Sequence, residues 1–305
     1  MSATTAPRTS ALTRELVGEF VGTFILILFG TAAVAQVVVS KGDAGDWATL
    51  TWGWVVGLIM GIYVAGRLGA GHLNPAVSLA MAVYRGFAWR NVGPYALAQT
   101  AGAFVAALVT RAVYSSGIAA ADPGLTSSSQ TIFSTLPNHG ITTAFFDQVV
   151  GTALLVFVLF ALLATLQGAA GQLLPFMVGL LLLGIGFAWG TNAGYAINPA
   201  RDLGPRISYW ITGYRGAWGT PECTTYWWLP IVAPVIGALL GGGLYVLVVE
   251  RLEVPATEDT PAPAPTPESA EAGANPDPRH AAPDVVVADM AADAAVPART
   301  PQEQP

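Results

Sequence analysis

Charge is scarce in this chain. Asp, Glu, Lys and Arg make up 10% of its 305 residues, against roughly 25% in an ordinary soluble protein, and the shortage excludes a soluble globular fold. Cysteine is scarcer still. Cys223 stands alone, so there is no internal disulfide and no CxxC metal or redox motif, and it reads as an inert small residue near the outer surface. The sequence offers neither a metal cluster nor a set of nucleophile, base and oxyanion donors. No catalytic group, metal or cofactor is therefore expected, and nucleic acid is not expected as a partner.

What is abundant is apolar sequence. Hydrophobic residues supply 53% of the chain. Six stretches, roughly 12–38, 48–67, 92–114, 143–166, 173–190 and 226–249, each hold about 20 mostly apolar residues, enough to cross a bilayer. The first is too long for a secretory signal, and five more follow it. The net charge of −6 belongs to the tail, because residues 252–305 hold ten acidic side chains and two Arg and leave the remainder at +2. Rich in Ala, Pro and acid, residues 251–305 are expected to form a disordered cytoplasmic tail. Arg8, Arg14, Arg67, Arg85 and Arg90 lie before span 1 or between spans 2 and 3, whereas the loop between spans 1 and 2 sets Lys41 against Asp43 and Asp46. The positive-inside rule then places the N-terminal residues 1–10, and after six spans the C-terminus, in the cytoplasm.

Two copies of Asn-Pro-Ala, Asn74-Pro75-Ala76 and Asn198-Pro199-Ala200, each precede a segment too short to span. Asn is a favoured helix N-cap and Pro suits the first helical position, so each copy reads as a helix start. The segments run to Arg85 and to about Ile211; at ~1.5 Å per residue they cover roughly half of a ~30 Å hydrocarbon core. Two such half-helices meeting head to head would complete one further span between them. The halves of the chain also echo one another. Glu19-Phe20-Val21-Gly22-Thr23 matches Gln148-Val149-Val150-Gly151-Thr152 at an offset of 129, the Asn-Pro-Ala copies are offset by 124, and Ala98–Ala103 resembles Ala233–Ala238 at 135. Because each half holds three spans, an odd number, the second copy must insert upside down. The expected fold is an all-α membrane protein of six transmembrane helices plus two re-entrant half-helices in an inverted repeat. Its channel domain covers 11–250, with repeat one at about 11–114 and repeat two at about 143–250. Glu19 and Gln148, polar groups at equivalent places inside spans, are expected to hold the two re-entrant loops through backbone N–H groups.

Gly71-His72-Leu73-Asn74-Pro75-Ala76-Val77 and the run from Asn198 through Arg201-Asp202 to Pro205-Arg206 resemble the two signatures of the aquaporin and glycerol-facilitator family, over about residues 11–250. The second resembles the glycerol-facilitator, or aquaglyceroporin, version, because water-selective members usually carry a small residue at the place of Asp202. The resemblance implies a homotetramer with one pore in each subunit, seated in the plasma membrane. It also aligns a selectivity filter at Trp54, Gly186, Tyr195 and Arg201. Water filters in the family place His at the Gly186 position, so Gly there is expected to widen the gap, with Trp54 and Tyr195 as an apolar corner opposite Arg201. Tyr195 departs from the Phe of many bacterial glycerol facilitators, and Gln148 from the usual Glu.

A capping Asn spends its oxygen on its own helix, leaving amide donors at mid-membrane that turn the hydrogens of a passing water outward. The positive ends of both half-helices repel cations at the same place. Carbonyls of Gly71, His72, Gly194, Tyr195 and Ala196 are expected to line the path, since unwound backbone at this depth must face a wet cavity. Asp202 and Arg206, four apart, can pair and leave Arg201 to face the pore. The reading is a passive channel for glycerol and similar small uncharged solutes, conducting water and excluding protons and ions. A water-selective channel is the nearest alternative. An ion-coupled transporter is a further one, and it would need titratable groups that, apart from Glu19, Asp147 and the loops, the bundle lacks.

Overall fold

The computed structural model describes residues 10–219 and 225–252. Cys223, residues 1–9 and all of the expected tail beyond Leu252 lie outside the described residues, whereas Arg251 and Leu252 continue the last helix. The described residues belong to one unit.

Among them the chain folds into α1 (Ala11–Val39), α2 (Trp47–Gly66), α3 (Pro75–Tyr84), α4 (Trp89–Val113), α5 (Ser115–Ala121), α6 (Ser127–Gln130), α7 (Ile141–Thr165), α8 (Leu174–Ala193), α9 (Pro199–Ile211) and α10 (Leu229–Tyr245). Helices α1, α2, α4, α7, α8 and α10 are each long and apolar enough, with their flanking turns, to cross a bilayer. Their ends follow from local sequence. Ser10 caps α1 by accepting from the Thr13 N–H, and Asp46 with Thr49 forms a capping box on α2. At the far end of α8, Gly194 takes a left-handed conformation with φ +75° and stops the helix.

The two short helices begin where the tripeptides predict. Asn74 accepts from the Ala76 N–H at 2.9 Å ahead of Pro75, and Asn198 accepts from Ala200 and Arg201 at 3.0 and 3.2 Å ahead of Pro199. At 10 and 13 residues they reach about 15 and 20 Å. Neither spans alone.

Packing follows the repeat. Helix α1 lies against α2 and α4, and α7 against α8 and α10, while α2 meets α8 across the two halves. The half-helices exchange sides: α9 packs on α4 of the first half and α3 on α10 of the second. Small residues permit these approaches. A Cβ added at Gly22 would stand 2.8 Å from the Gly61 carbonyl oxygen, and one at Gly241 would stand 2.1 Å from that of Ala153. Bundles in lipid lack a hydrophobic drive between helices and rely on such contacts. Leu97, Val113, Phe146 and Leu240 are exposed on the outside of the bundle, as side chains facing hydrocarbon would be. The sequence-predicted fold of six long helices and two half-helices is the one observed.

Candidate functional site

The loops that lead into α3 and α9 meet inside the bundle. One amide hydrogen of Asn74 goes to the Ile197 carbonyl at 2.8 Å, and one of Asn198 goes to the Leu73 carbonyl, also at 2.8 Å. Each Asn thus ties itself to the residue just before the other. Capping chemistry alone leaves both amide hydrogens free; the crossed bonds use one on each side, so a single hydrogen per Asn remains for another acceptor. Leu73 and Ile197 hold left-handed backbones at φ +52° and +38°, a conformation costing non-glycine residues roughly 1–3 kcal/mol each. Nothing in a Leu or an Ile announces this, and the strain is held by the hydrogen bonds on both sides of the peptide.

Those bonds come from buried polar side chains. Glu19, 1% exposed, accepts from the backbone N–H groups of His72 and Leu73 at 2.7 Å each and from the Gln99 amide at 2.8 Å. Gln148 accepts from the Ile197 N–H at 2.8 Å through Oε1. His72 reaches Ser78 at 3.1 Å and packs against the rings of Phe87 and Tyr95.

Two cavities open on this junction. The first, about 180 Å³, is lined by apolar residues of α2, α7 and α8 such as Leu58, Ile62, Leu159, Val178 and Leu182, and by Gly71, His72, Asn74, Ala196 and Asn198 of the two loops. The second, about 260 Å³, is lined by Val34, Val38, Trp47, Leu50, Thr135, Asn138, Gly190 and Gly194 among others. Helix α2 contributes Trp47 and Leu50 to the second and Leu58 and Ile62 to the first, and α8 contributes Val178 and Leu182 to the first and Gly190 and Ala193 to the second. The cavities therefore open toward opposite ends of the bundle. Trp54, Tyr195 and Arg201 line both, and mark the narrow place between them.

At that place the Arg201 guanidinium lies 4.0 Å over the Trp54 ring and donates to the Phe133 carbonyl at 3.1 Å. Burying a cation to 7% exposure is costly; a desolvated cation–π contact returns ~2 kcal/mol or more. Next to it, Asp202 pairs with Arg206 at 2.7 Å and accepts the Thr135 N–H and hydroxyl. Arg206 in turn donates to the carbonyls of Thr135 and Ala217. This fully buried cluster welds the 127–138 segment onto α9 and sets the height of the Phe133 carbonyl beside Arg201. Residues 133–135 carry no sequence signal, because the contacts use mostly their backbone.

Gly186 lies beside the Tyr195 ring. It lines neither cavity, and a Cβ there would stand 2.8 Å from Thr51 and 3.1 Å from the Tyr195 ring. The glycine makes room for Tyr195 rather than leaving a gap. Trp47, missed in the sequence, backs that ring edge-on at 6.0 Å and donates its indole N–H to the Gly186 carbonyl at 3.2 Å. Trp54 is 3% exposed whereas Trp52 is 46% exposed and points outward, so Trp54 is the one of the two that faces the cavities. Nor does Trp54 stand opposite Arg201 as an open apolar wall, since the guanidinium covers its face. The Tyr195 hydroxyl is buried without a protein partner among the described residues. Carbonyls of Gly71, His72, Gly194, Tyr195 and Ala196 accept no hydrogen bond from the described groups.

Comparison with known proteins agrees with this geometry. Residues 6–245 match the family described as Major intrinsic protein. A probable aquaglyceroporin-2 from Gibberella zeae is 41% identical over 242 residues, covering 76% of this chain and 71% of the relative. Human aquaporin-9 is 39% identical over 252 residues, covering 79% of this chain and 84% of its own. Among solved structures, the X-ray structure of the aquaglyceroporin from Plasmodium falciparum superposes with a TM-score of 0.71 at 32% identity, covering 79% of this chain and 98% of that one. The chain belongs to the major intrinsic protein family, and is an integral membrane channel rather than an enzyme.

Proposed function

We propose that the path through this bundle passes glycerol and related small uncharged solutes, together with water, and excludes protons and ions. The observation that carries the reading is the make-up of the narrow place and the first cavity: guanidinium, amide and unpartnered carbonyls from the loops and α9, together with Leu, Ile and Val from α2, α7 and α8. A polyol has the same division, with hydroxyls on one edge and CH groups on the other. Selectivity from diameter, donors and electrostatic barriers is general to aquaporin-type pores.

Each residue then has a task. Asn74 and Asn198 each offer one remaining amide hydrogen where the crossed loops meet, so an oxygen passing there accepts from both and its own hydrogens turn away from the next molecule in file. A proton has no continuous wire to follow. The positive ends of α3 and α9, each about half an elementary charge, add to the Arg201 charge and oppose cations. Carbonyls of Gly71, His72, Gly194, Tyr195 and Ala196 accept the solute hydroxyls. At the narrow place Trp54 and Tyr195 fix the width. Glu19, Gln148, Asp202 and Arg206 hold the loops and do not touch the solute.

The protein is further read as a homotetramer in the plasma membrane, with one path per subunit and both termini in the cytoplasm. Support comes from the family and from the arginines before span 1 and between spans 2 and 3. Because the Tyr195 ring fills the space beside Gly186, a narrower, water-selective path is the second reading. Stopped-flow light scattering on proteoliposomes separates the two. Glycerol entry several-fold faster than in empty liposomes is expected; fast water flux with glycerol entry at the empty-liposome rate would overturn the polyol reading in favour of water.

A further inference from the structure

The two loops are held by different chemistry. Glu19 is a carboxylate, an acceptor at both oxygens, and cannot present a hydrogen to the N–H groups of His72 and Leu73. Gln148 can. Turned end for end, its amide would set NH2 against the Ile197 N–H, donor against donor, and release the loop. In the structure its NH2 is taken by Asp147 Oδ2 at 3.0 Å, which leaves Oε1 toward Ile197. Asp147 Oδ1 accepts from the Asn192 amide at 3.1 Å, two residues before Gly194. Asp147 is 6% exposed and lines neither cavity. Among the described residues the ion pairs are Arg85–Glu250 and Arg206–Asp202, so the Asp147 carboxylate is held by amide donors rather than by a cation.

We infer that Asp147 is the positioning residue of the second re-entrant loop: it acts through Gln148 to keep the Ile197 peptide, and with it the Tyr195 carbonyl path and Asn198, in the conducting arrangement. In effect the carboxylate that grips the first loop directly has been moved back one residue in the second and works through an amide. The consequence for permeation rests on the channel reading above; the grip on Ile197 does not.

Three variants in proteoliposomes test this, with glycerol flux normalised to folded tetramer or monomer recovered by size exclusion. Asp147→Asn leaves one acceptor oxygen where the Gln148 and Asn192 amides each need one, so Gln148 is no longer held in a single orientation, and glycerol permeability should fall by ~10-fold or more, the size of one lost hydrogen bond to a charged group. Gln148→Glu alone sets two carboxylates 3.0 Å apart and should also be impaired. The double variant D147N/Q148E should recover most of the flux, because the carboxylate introduced at position 148 accepts at both oxygens and the amide introduced at position 147 can donate to it. Hydrogen exchange of residues 194–198 is read in the same samples and needs no solute flux: faster in each single variant, slow again in the double. Wild-type flux and slow exchange in Asp147→Asn would overturn the inference, as would a double variant no better than Asp147→Asn. Should Asp147→Asn fail to fold, recovery of folded, slow-exchanging D147N/Q148E supports it and equal failure of the double overturns it. A wild-type protein without glycerol flux would sink the channel reading, and the exchange pattern would still decide the role of Asp147.

Discussion

The loops before α3 and α9 do the same job with unequal means. Both end in a left-handed residue, Leu73 or Ile197, followed by a capping Asn that reaches across to the other loop. The first is gripped by a carboxylate that takes two backbone N–H groups and a side-chain amide. The second is gripped by a neutral amide that takes one, yet its helix also bears Arg201, Asp202 and Arg206, welded to the 127–138 segment. Helix α3 carries no charge of its own until Arg85, its C-cap. The two-fold architecture therefore supplies the crossing of the loops, and departures from symmetry supply the discriminating chemistry at one side of it.

That contrast can be broken in graded ways. The largest effect is expected from Arg206→Met, which strands the fully buried Asp202 carboxylate; removing one partner of a buried pair costs roughly 3–5 kcal/mol, and recovery of folded protein in detergent should collapse. Next comes Glu19→Gln, which sets an amide NH2 against one of two backbone N–H groups. A loss of ~2 kcal/mol is expected, read as a lower thermal midpoint and faster exchange at 71–73, with a smaller change at 194–198. Trp47→Phe keeps the ring behind Tyr195 and removes one neutral hydrogen bond to Gly186, worth ~1 kcal/mol; a modest change in the ratio of water to glycerol flux is expected. Smallest should be Glu250→Gln, which removes only the charge that pairs with Arg85 at the far end of α3; the pair is 24% and 34% exposed, so that less than ~1 kcal/mol is at stake.

A pH series probes the segment that braces the second side. Burial works against the charged form of Asp122, but hydrogen bonds from Ser129 and Thr126 outweigh it and hold the carboxyl below its ordinary value of 3.8. A carboxylate lowered on folding adds stability above its unfolded value and loses it as pH falls through the lowered one. Hydrogen exchange of 126–135 should therefore accelerate below about pH 4, and Asp122→Asn should remove that acceleration.

Much of this arrangement is legible from local spacing. Asn followed by Pro marks both half-helix starts, four-residue spacing pairs Asp202 with Arg206, and a polar group at the same place in two apolar spans points to Glu19 and Gln148. What escapes depends on partners distant in the chain or on backbone atoms, which no side-chain pattern reports. The Phe133 and Thr135 carbonyls carry no residue-type signal, and a left-handed backbone is expected at glycine rather than at Leu73 or Ile197. Gly186 reads as open space in the sequence because alignment shows the residue removed and not the Tyr195 ring that takes its place. Asp147 is legible there only as a carboxylate in an apolar span, and its amide partners emerge only in three dimensions.

The most direct test sets glycerol and proton flux side by side in the same proteoliposomes, with a pH dye inside and an imposed pH gradient. Crossed half-helices with inward amide donors and a buried Arg201 predict glycerol entry well above empty vesicles while the gradient decays no faster than in empty ones. Proton leak that rises in step with glycerol entry, or glycerol entry at the empty-vesicle rate, would contradict it.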